Sequence, residues 1–349
     1  MKNIKKIIAL ALTSVISVGL LAGCGSKSSA EVLNIYNVGD YIDEDLIPKF
    51  EKETGIKVVY EKYDTNEIMY QKIKSGGSKY DLVFPSDYMI EKMIKEDLLQ
   101  KIDYSNIPNY KNIDEKFKNA SYDPKDEYSV PYFWGTFGIM YNKTMVSDPI
   151  ESWDILWNEK YKQQILMLDS VRDTMGIALM KLGYSQNSIN EAELQKAKEE
   201  LIKQRPLVLA YGNDDIKDRL LGGEAAMGIV YSGDAITLME EDKNLAYAIP
   251  KTGTNKWIDA MCIPYNAENK KEAEKFINFM LDAQNAKQNI DYINYSTPNK
   301  AAFELLDEEV KNNPVAYPSD DIVKKSEFFI DLGDKIKLYD DLWLEIKSK

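Results

Sequence analysis

Short β-rich runs alternate with amphipathic helical spacing along most of this chain. The pattern predicts a strand over 32–36 (VLNIY), then a helix with Leu46, Ile47 and Phe50 on one face, stopped by Gly55. A second strand is expected over 57–60, followed by a helix that Asn66 caps, that carries Met69 and Ile73 and that Gly76 and Gly77 end. A third strand is expected over 80–84 (YDLVF), after which Pro85, Ser86 and Asp87 open a helix with Met89, Met93, Ile90 and Ile94 at helical spacing. Strand, helix, strand, helix in that order implies a parallel sheet.

The rhythm is interrupted by 130–142 (VPYFWGTFGIMYN), a nearly uncharged apolar run. It reads as the place where the chain leaves one lobe for another; the plainer reading is a buried strand with a glycine at each bend. The alternation then resumes. A short helix is expected over 152–157, a strand over 164–168, a polar loop at 169–173 leading into a helix through Leu182, and a helix over 191–203 with Leu194, Ala197 and Leu201 facing inward. Strands at 208–211 and 226–231 flank a helix at 214–221. A second apolar run, 257–264 (WIDAMCIP), opens a second crossing, and helices around 270–281 and 286–292 follow. The final helix places Ile336, Tyr339, Trp343 and Ile346 on one stripe, read as packing, as are Trp153 and Trp157. In parallel sheets ligands sit beyond the carboxyl ends of strands, which nominates the loops 38–41, 86–88, 169–173 and 231–234.

A length of 349 residues suits two domains. The chain has no histidine and only Cys24 and Cys262, which removes Ser-His-Asp and Cys-His catalysis, the usual zinc sites and thioredoxin-like pairs. Carboxylate-pair hydrolysis needs only two acids, and 57 Asp plus Glu make any one pair uninformative. No GxxxxGK[ST] loop occurs, so ATP hydrolysis by this chain is not expected.

The start looks like a lipoprotein signal peptide over 1–23: Lys2, Lys5 and Lys6, an apolar stretch at 7–20, then Leu21, Ala22, Gly23 and Cys24. Cys24 would be lipidated on sulfur, and the stretch 24–31 would be the lipidated residue and a flexible tether. Loss of residues 1–23 removes three lysines and no acid, moving the formal charge from −13 to −16. An acidic body of this kind repels nucleic acid and anionic membrane and attracts cations. With Cys24 lipidated, Cys262 has no partner for a disulfide and reads as a buried small hydrophobe.

Six stretches in order resemble the polyamine-binding proteins of ABC transporters, the spermidine/putrescine-binding family. They are 37–58, 80–86, 100–103, 131–135 (PYFWG), 181–185 (KLGYS) and 295–299 (YSTPN). The resemblance runs from about Leu33 to the C-terminus. It implies an α/β, two-lobe periplasmic-binding-protein-like fold of type II, with a ligand cleft between lobes joined by two crossover segments. The expected division is 32–135 plus 260–303 for one lobe and 136–259 plus 304–349 for the other. The family's binding positions fall here on Asp40 as an ammonium ligand, Tyr41 as a wall, Ser86 and Tyr88, Asp173, Tyr231 where the family usually has Trp, Asp234, Trp257, Asp259 and Tyr295. Three departures stand out: Val38 replaces a Trp, Ser170 lies where the spermidine-binding form has an acid, and Phe329 lies where that form has Gln. With Asp234 matching an acid of the putrescine-binding branch, these lean toward a diamine.

The residue types suit that chemistry. A polyamine is a methylene chain bearing ammonium groups, so its site needs aromatic faces for the chain and separated carboxylates for the charges. The implied protein is an extracytoplasmic polyamine carrier, not an enzyme, without cofactor or metal. Its partners would be an ABC permease and the cell membrane through the lipid (palmitate) anchor, on the outer face or in a periplasm, with no nucleic acid, and it would act as a monomer. A carrier for another cation or ferric ion and a polyamine sensor without transport stay open as alternatives.

Overall fold

The computed structural model describes residues 31–349; the expected signal peptide, Cys24 and the tether up to residue 30 lie outside the described residues. Among the described residues nine strands, interspersed with helices, occupy the chain up to Cys262. They are β1 (Val32–Val38), α1 (Leu46–Thr54), β2 (Lys57–Tyr63), α2 (Asn66–Lys74), β3 (Leu82–Val83), α3 (Asp87–Lys95), β4 (Ser129–Asn142), β5 (Ile165–Leu168), α4 (Val171–Lys181) and α5 (Glu191–Gln204). There follow β6 (Val208–Gly212), α6 (Asp215–Leu221), β7 (Met227–Tyr231), α7 (Ser232–Glu241), β8 (Leu245–Ala248), β9 (Lys256–Cys262), α8 (Lys270–Met280) and α9 (Ala283–Ile293). The last long helix is Ile336–Lys347.

Local chemistry explains most boundaries. Gly55 ends α1 in the left-handed region at φ 76°, where its N–H bonds the Glu51 carbonyl. Thr65, not Asn66, caps α2: its hydroxyl accepts from the Ile68 N–H, while Asn66 turns to Ser86 on the neighbouring loop. The third strand is shorter than the expected 80–84. The Asp81 carboxylate takes the Asn34 N–H at 2.9 Å, a donor that a strand carbonyl would otherwise accept.

The sheet order is β2-β1-β3-β9-β4-β7-β5-β6, with β8 also on β4. Pairing is parallel within β2-β1-β3 and within β7-β5-β6, but β9 and β4 run antiparallel to their neighbours. The sheet is therefore mixed rather than parallel throughout, because the two segments read as crossings pair with each other from Ser129↔Cys262 to Thr136↔Lys256. In β4 the first half lies on β9 and the second half on β7 and β8.

The apolar cores change over inside β4. Phe133 and everything before it pack in a first core with Trp257, Ile258 and α8 and α9, whereas Phe137 begins a second core that ends at Leu245. The sequence division after 259 assigned Trp257 and Ile258 to the other side; the pairing of β9 with the first half of β4 carries them into the first core. A third cluster locks Tyr339, Leu342, Trp343 and Ile346 onto α4 and α5. Each such fully buried aliphatic or aromatic side chain contributes about 1.5–3 kcal/mol. Cys262 is buried in the first core as a free thiol.

Candidate ligand-binding cleft

Between the first two cores lies a cleft of about 520 Å³. Its walls are the loop after β1, the loop into α3, the segment between β5 and α4, the junction of β7 and α7, the outer part of β9, and the turn holding Tyr295. All ten sequence-nominated residues line it: Asp40, Tyr41, Ser86, Tyr88, Asp173, Tyr231, Asp234, Trp257, Asp259 and Tyr295. Strand topology delivers them: three antiparallel pairings separate β3 from β7, so β1 and β3 run opposite to β5 and β7, and the loops at their carboxyl ends face one another across the cleft, with Trp257 and Asp259 presented by β9 between them.

Four rings run edge to face through the cleft. Tyr231 meets Trp257 with centroids 6.0 Å apart, Trp257 meets Tyr295 at 5.2 Å, and Tyr295 meets Tyr41 at 5.5 Å. Two glycines make room for them. A Cβ on Gly135 would fall 2.6 Å from the Trp257 ring, and one on Gly233 would fall 2.5 Å from the Tyr295 ring, both closer than carbon atoms can approach without displacement.

Carboxylates are threaded between the rings, each holding a phenol. Tyr41 donates to Asp259 at 2.7 Å, Tyr231 to Asp173 at 3.1 Å, Tyr295 to Asp234 at 3.1 Å, and Tyr88 to Glu67 at 2.8 Å. Burial pushes the Asp173 and Asp259 carboxyls up to about 6, outweighing the hydrogen bonds that favour their ionised forms. Neither acid has a lysine or arginine nitrogen within 4.0 Å among the described residues, and Asp259 Oδ1 is a buried acceptor with no partner. Such groups cost free energy unless something with donors and positive charge meets them.

The other nominated acids differ. Asp40 is exposed at the rim, where Lys62 holds it at 3.0 Å, so its carboxylate is already engaged outside the ring-lined part. Asp234 lies deeper, with Lys217 at 3.3 Å. Val38, Ser170 and Phe329 also line the cleft. Ser170 serves as the cap of α4, accepting from the Asp173 N–H, which ties it to backbone rather than leaving it for charge.

The charged lining groups outside the nominated set include Asp87, Glu67, Arg172, Asp214 and Lys217. Asp87 is buried, and burial together with nearby Asp259 raises its carboxyl well above the usual range, although it accepts from the Tyr88 and Ile258 N–H groups. Its position between Ser86 and Tyr88 was a usable signal, masked because an acid there also suits a helix first turn. Arg172 is buried with its guanidinium 4.4 Å from the Phe329 centroid and donates to the Ile330 carbonyl and Asn187. Among the described residues no cluster of three His, Cys, Asp or Glu side chains could hold a metal ion, and no helix is long and apolar enough to cross a membrane.

A family model described as bacterial extracellular solute-binding protein matches residues 45–318. The chain is 40% identical over 324 residues to the spermidine/putrescine-binding periplasmic protein of Salmonella typhimurium, which covers 92% of this chain and 93% of that one. Among solved structures, the spermidine/putrescine ABC transporter substrate-binding protein PotD of Streptococcus pneumoniae superposes with a TM-score of 0.79 at 44% identity, covering 91% of this chain and 99% of that chain. The TpPotD lipoprotein of Treponema pallidum superposes with a TM-score of 0.82 at 30% identity, covering 91% and 100%.

Proposed function

The chain belongs to the bacterial extracellular solute-binding proteins, and from that premise we propose that its cleft takes a polyamine and that the loaded protein delivers it to an ABC permease. It is a carrier and not an enzyme. The observation that supports the ligand class most directly is the pairing of rings with acids that make no salt bridge: among the described residues Asp173 and Asp259 have no lysine or arginine nitrogen within 4.0 Å, Arg172 acting on Asp173 only from farther off, and both acids sit among tyrosine and tryptophan faces.

An ammonium at Asp259 would supply the donor that Oδ1 lacks, at about 1.5–3 kcal/mol for a hydrogen bond to a charged group. A ring under the same ammonium adds about 0.5–2 kcal/mol, and each methylene withdrawn from water adds about 0.8 kcal/mol. Those three terms select a flexible aliphatic cation over a metal ion or an anion. Residues Asp40, Tyr41, Ser86, Tyr88, Asp173, Tyr231, Asp234, Trp257, Asp259 and Tyr295 form the proposed binding set, with Asp173 and Asp259 as the principal ammonium ligands and Asp40 at the rim. The change of core within β4 makes the β4/β9 ribbon the natural hinge for closure of one lobe on the other.

A lipid on Cys24 would keep the carrier at the outer face of the cell membrane, close to the permease, and solitary delivery suits a monomer. Calorimetric titration of the purified protein with putrescine, spermidine and spermine tests the reading. Saturable one-to-one binding of at least one of them supports it, and no binding of any overturns the ligand class.

A further inference from the structure

One end of the cleft already contains a cation of the protein's own. Lys217 projects from α6, and its ammonium lies 3.3 Å from Asp234 Oδ1 and 3.5 Å from Asp214 Oδ1. The other oxygen of Asp234 accepts from the Tyr295 hydroxyl. The lip is tight here: a Cβ on Gly39, on the opposite side, would come within 3.0 Å of Asp214 Oδ2. Although burial opposes it, the acids Asp234 and Asp214 hold the Lys217 ammonium charged above its ordinary pKa. Among the described residues the cleft therefore has two kinds of carboxylate, those with a resident lysine (Asp214 and Asp234, and Asp40 at the rim) and those without (Asp173 and Asp259, with Asp87 and Glu67 beside the Tyr88 loop).

We propose that Lys217 is a specificity-determining residue, a built-in ammonium that occupies the Asp214/Asp234 end and confines a bound chain to two charged ends held at Asp173 and Asp259. This rests on the polyamine reading above. A diamine finds both of its partners unoccupied. A triamine that extends toward α6 finds the carboxylates there taken, and must either displace a lysine held by two acids or leave its third ammonium beside a like charge, which is unfavourable at short range in a partly buried site. Lysine suits such a role because it is a compact point charge on a flexible stem that can be withdrawn, unlike a forked guanidinium. The arrangement involves three segments of one lobe, the loop before α6, α6 itself and the first turn of α7, so it is present before any ligand arrives.

The test is a comparison of putrescine and spermidine affinities by calorimetry in the wild-type protein, Lys217→Gln, Lys217→Arg, and Lys217→Gln combined with Asp234→Asn. Lys217→Gln should raise the spermidine-to-putrescine affinity ratio by at least about fivefold, on the scale of one charged hydrogen bond gained. Lys217→Arg, which keeps the charge, should change the ratio less than Lys217→Gln does. Adding Asp234→Asn should remove the gain, since the lysine acts through that acid. An unchanged or lowered ratio in Lys217→Gln overturns the proposal, as does a gain that survives Asp234→Asn. A wild-type protein that binds neither amine overturns the polyamine reading itself, which separates the two failures.

Discussion

The Tyr41 hydroxyl donates to Asp259 Oδ2 across 2.7 Å, joining residues 218 positions apart in sequence. The second oxygen of the same carboxylate is buried and unpartnered. Tyr41 comes from the loop after β1, and Asp259 from β9 where it pairs with Phe133 of β4. One oxygen of this acid is held by the Tyr41 phenol; the other makes no hydrogen bond in the ligand-free fold, although the Ser86 hydroxyl beside it also favours the ionised carboxylate.

Asp259→Asn should therefore weaken polyamine binding by about 1.5–3 kcal/mol, or roughly ten- to a hundredfold. The amide oxygen can still accept from Tyr41, so thermal stability should change little. Calorimetry with a parallel melt checks both parts, and undiminished affinity would remove Asp259 from the binding set.

Binding should also weaken as pH falls through about 6. Burial holds the Asp173 and Asp259 carboxyls at about 6, and an ammonium pairs with the ionised form. At pH 5 each is mostly protonated, costing roughly tenfold in affinity per carboxylate relative to pH 7.5. The ligand-free fold responds with the opposite sign. Both groups have folded pKa values above the unfolded 3.8, so the stability they contribute is fully present below that value and is lost as pH rises through about 6. Affinities that agree at pH 5 and pH 7.5 would contradict the assignment of these two acids.

Gly233→Ala should reduce affinity through Tyr295. The new Cβ would lie 2.5 Å from that ring, so the ring must shift and its bond to Asp234 must lengthen. Overpacking of this kind costs about 1–3 kcal/mol, partly offset by the better helix propensity of alanine in α7, up to about 1 kcal/mol. A weaker Kd together with a lowered melting temperature, the net cost being up to about 2 kcal/mol, is the expected pair of readings.

Val38→Trp should strengthen binding of the longer polyamine. Val38 is half-buried at the end of β1 and lines the cleft, and an added indole face offers about 0.5–2 kcal/mol to a nearby ammonium. Spermidine and putrescine titrations decide it: equal or weaker spermidine binding would mean that the space beside Val38 is already filled.

Asp81→Ala should destabilise the fold without a direct effect on ligand contacts. The buried Asp81 carboxylate accepts from the Asn34 N–H, the Glu268 N–H, the Asn269 N–H and the side-chain amides of Asn34 and Asn269. Losing it strands several donors, at about 3–5 kcal/mol in total. Denaturant titration reads the loss.

Helix and strand order was legible because apolar spacing, Gly55 and the Pro85 to Asp87 turn act within a few residues of themselves. Four of the loops that line the cleft were legible for a related reason, because they follow strands in the alternation, whereas Trp257, Asp259 and Tyr295 were named only through the family resemblance. The sense of the sheet was not, since 130–142 carries no sign of which strand it will meet, and only its pairing with β9 makes the centre antiparallel. Nor could spacing distinguish an acid facing the cleft from one facing a lysine, as Asp40 does at the rim with Lys62.

Taken by itself, the sequence determined the elements, their order and the residue types brought to the loops, because those depend on local backbone preference and on the periodic burial of apolar side chains. Tertiary structure alone decided which carboxylates already hold a lysine and which hold only a phenol. Those pairings join segments such as 41 and 259, or 217 and 234, whose proximity is set by how the helices pack on the sheet. Charge neutralisation is a matter of a few ångströms, and no one-dimensional pattern carries that distance.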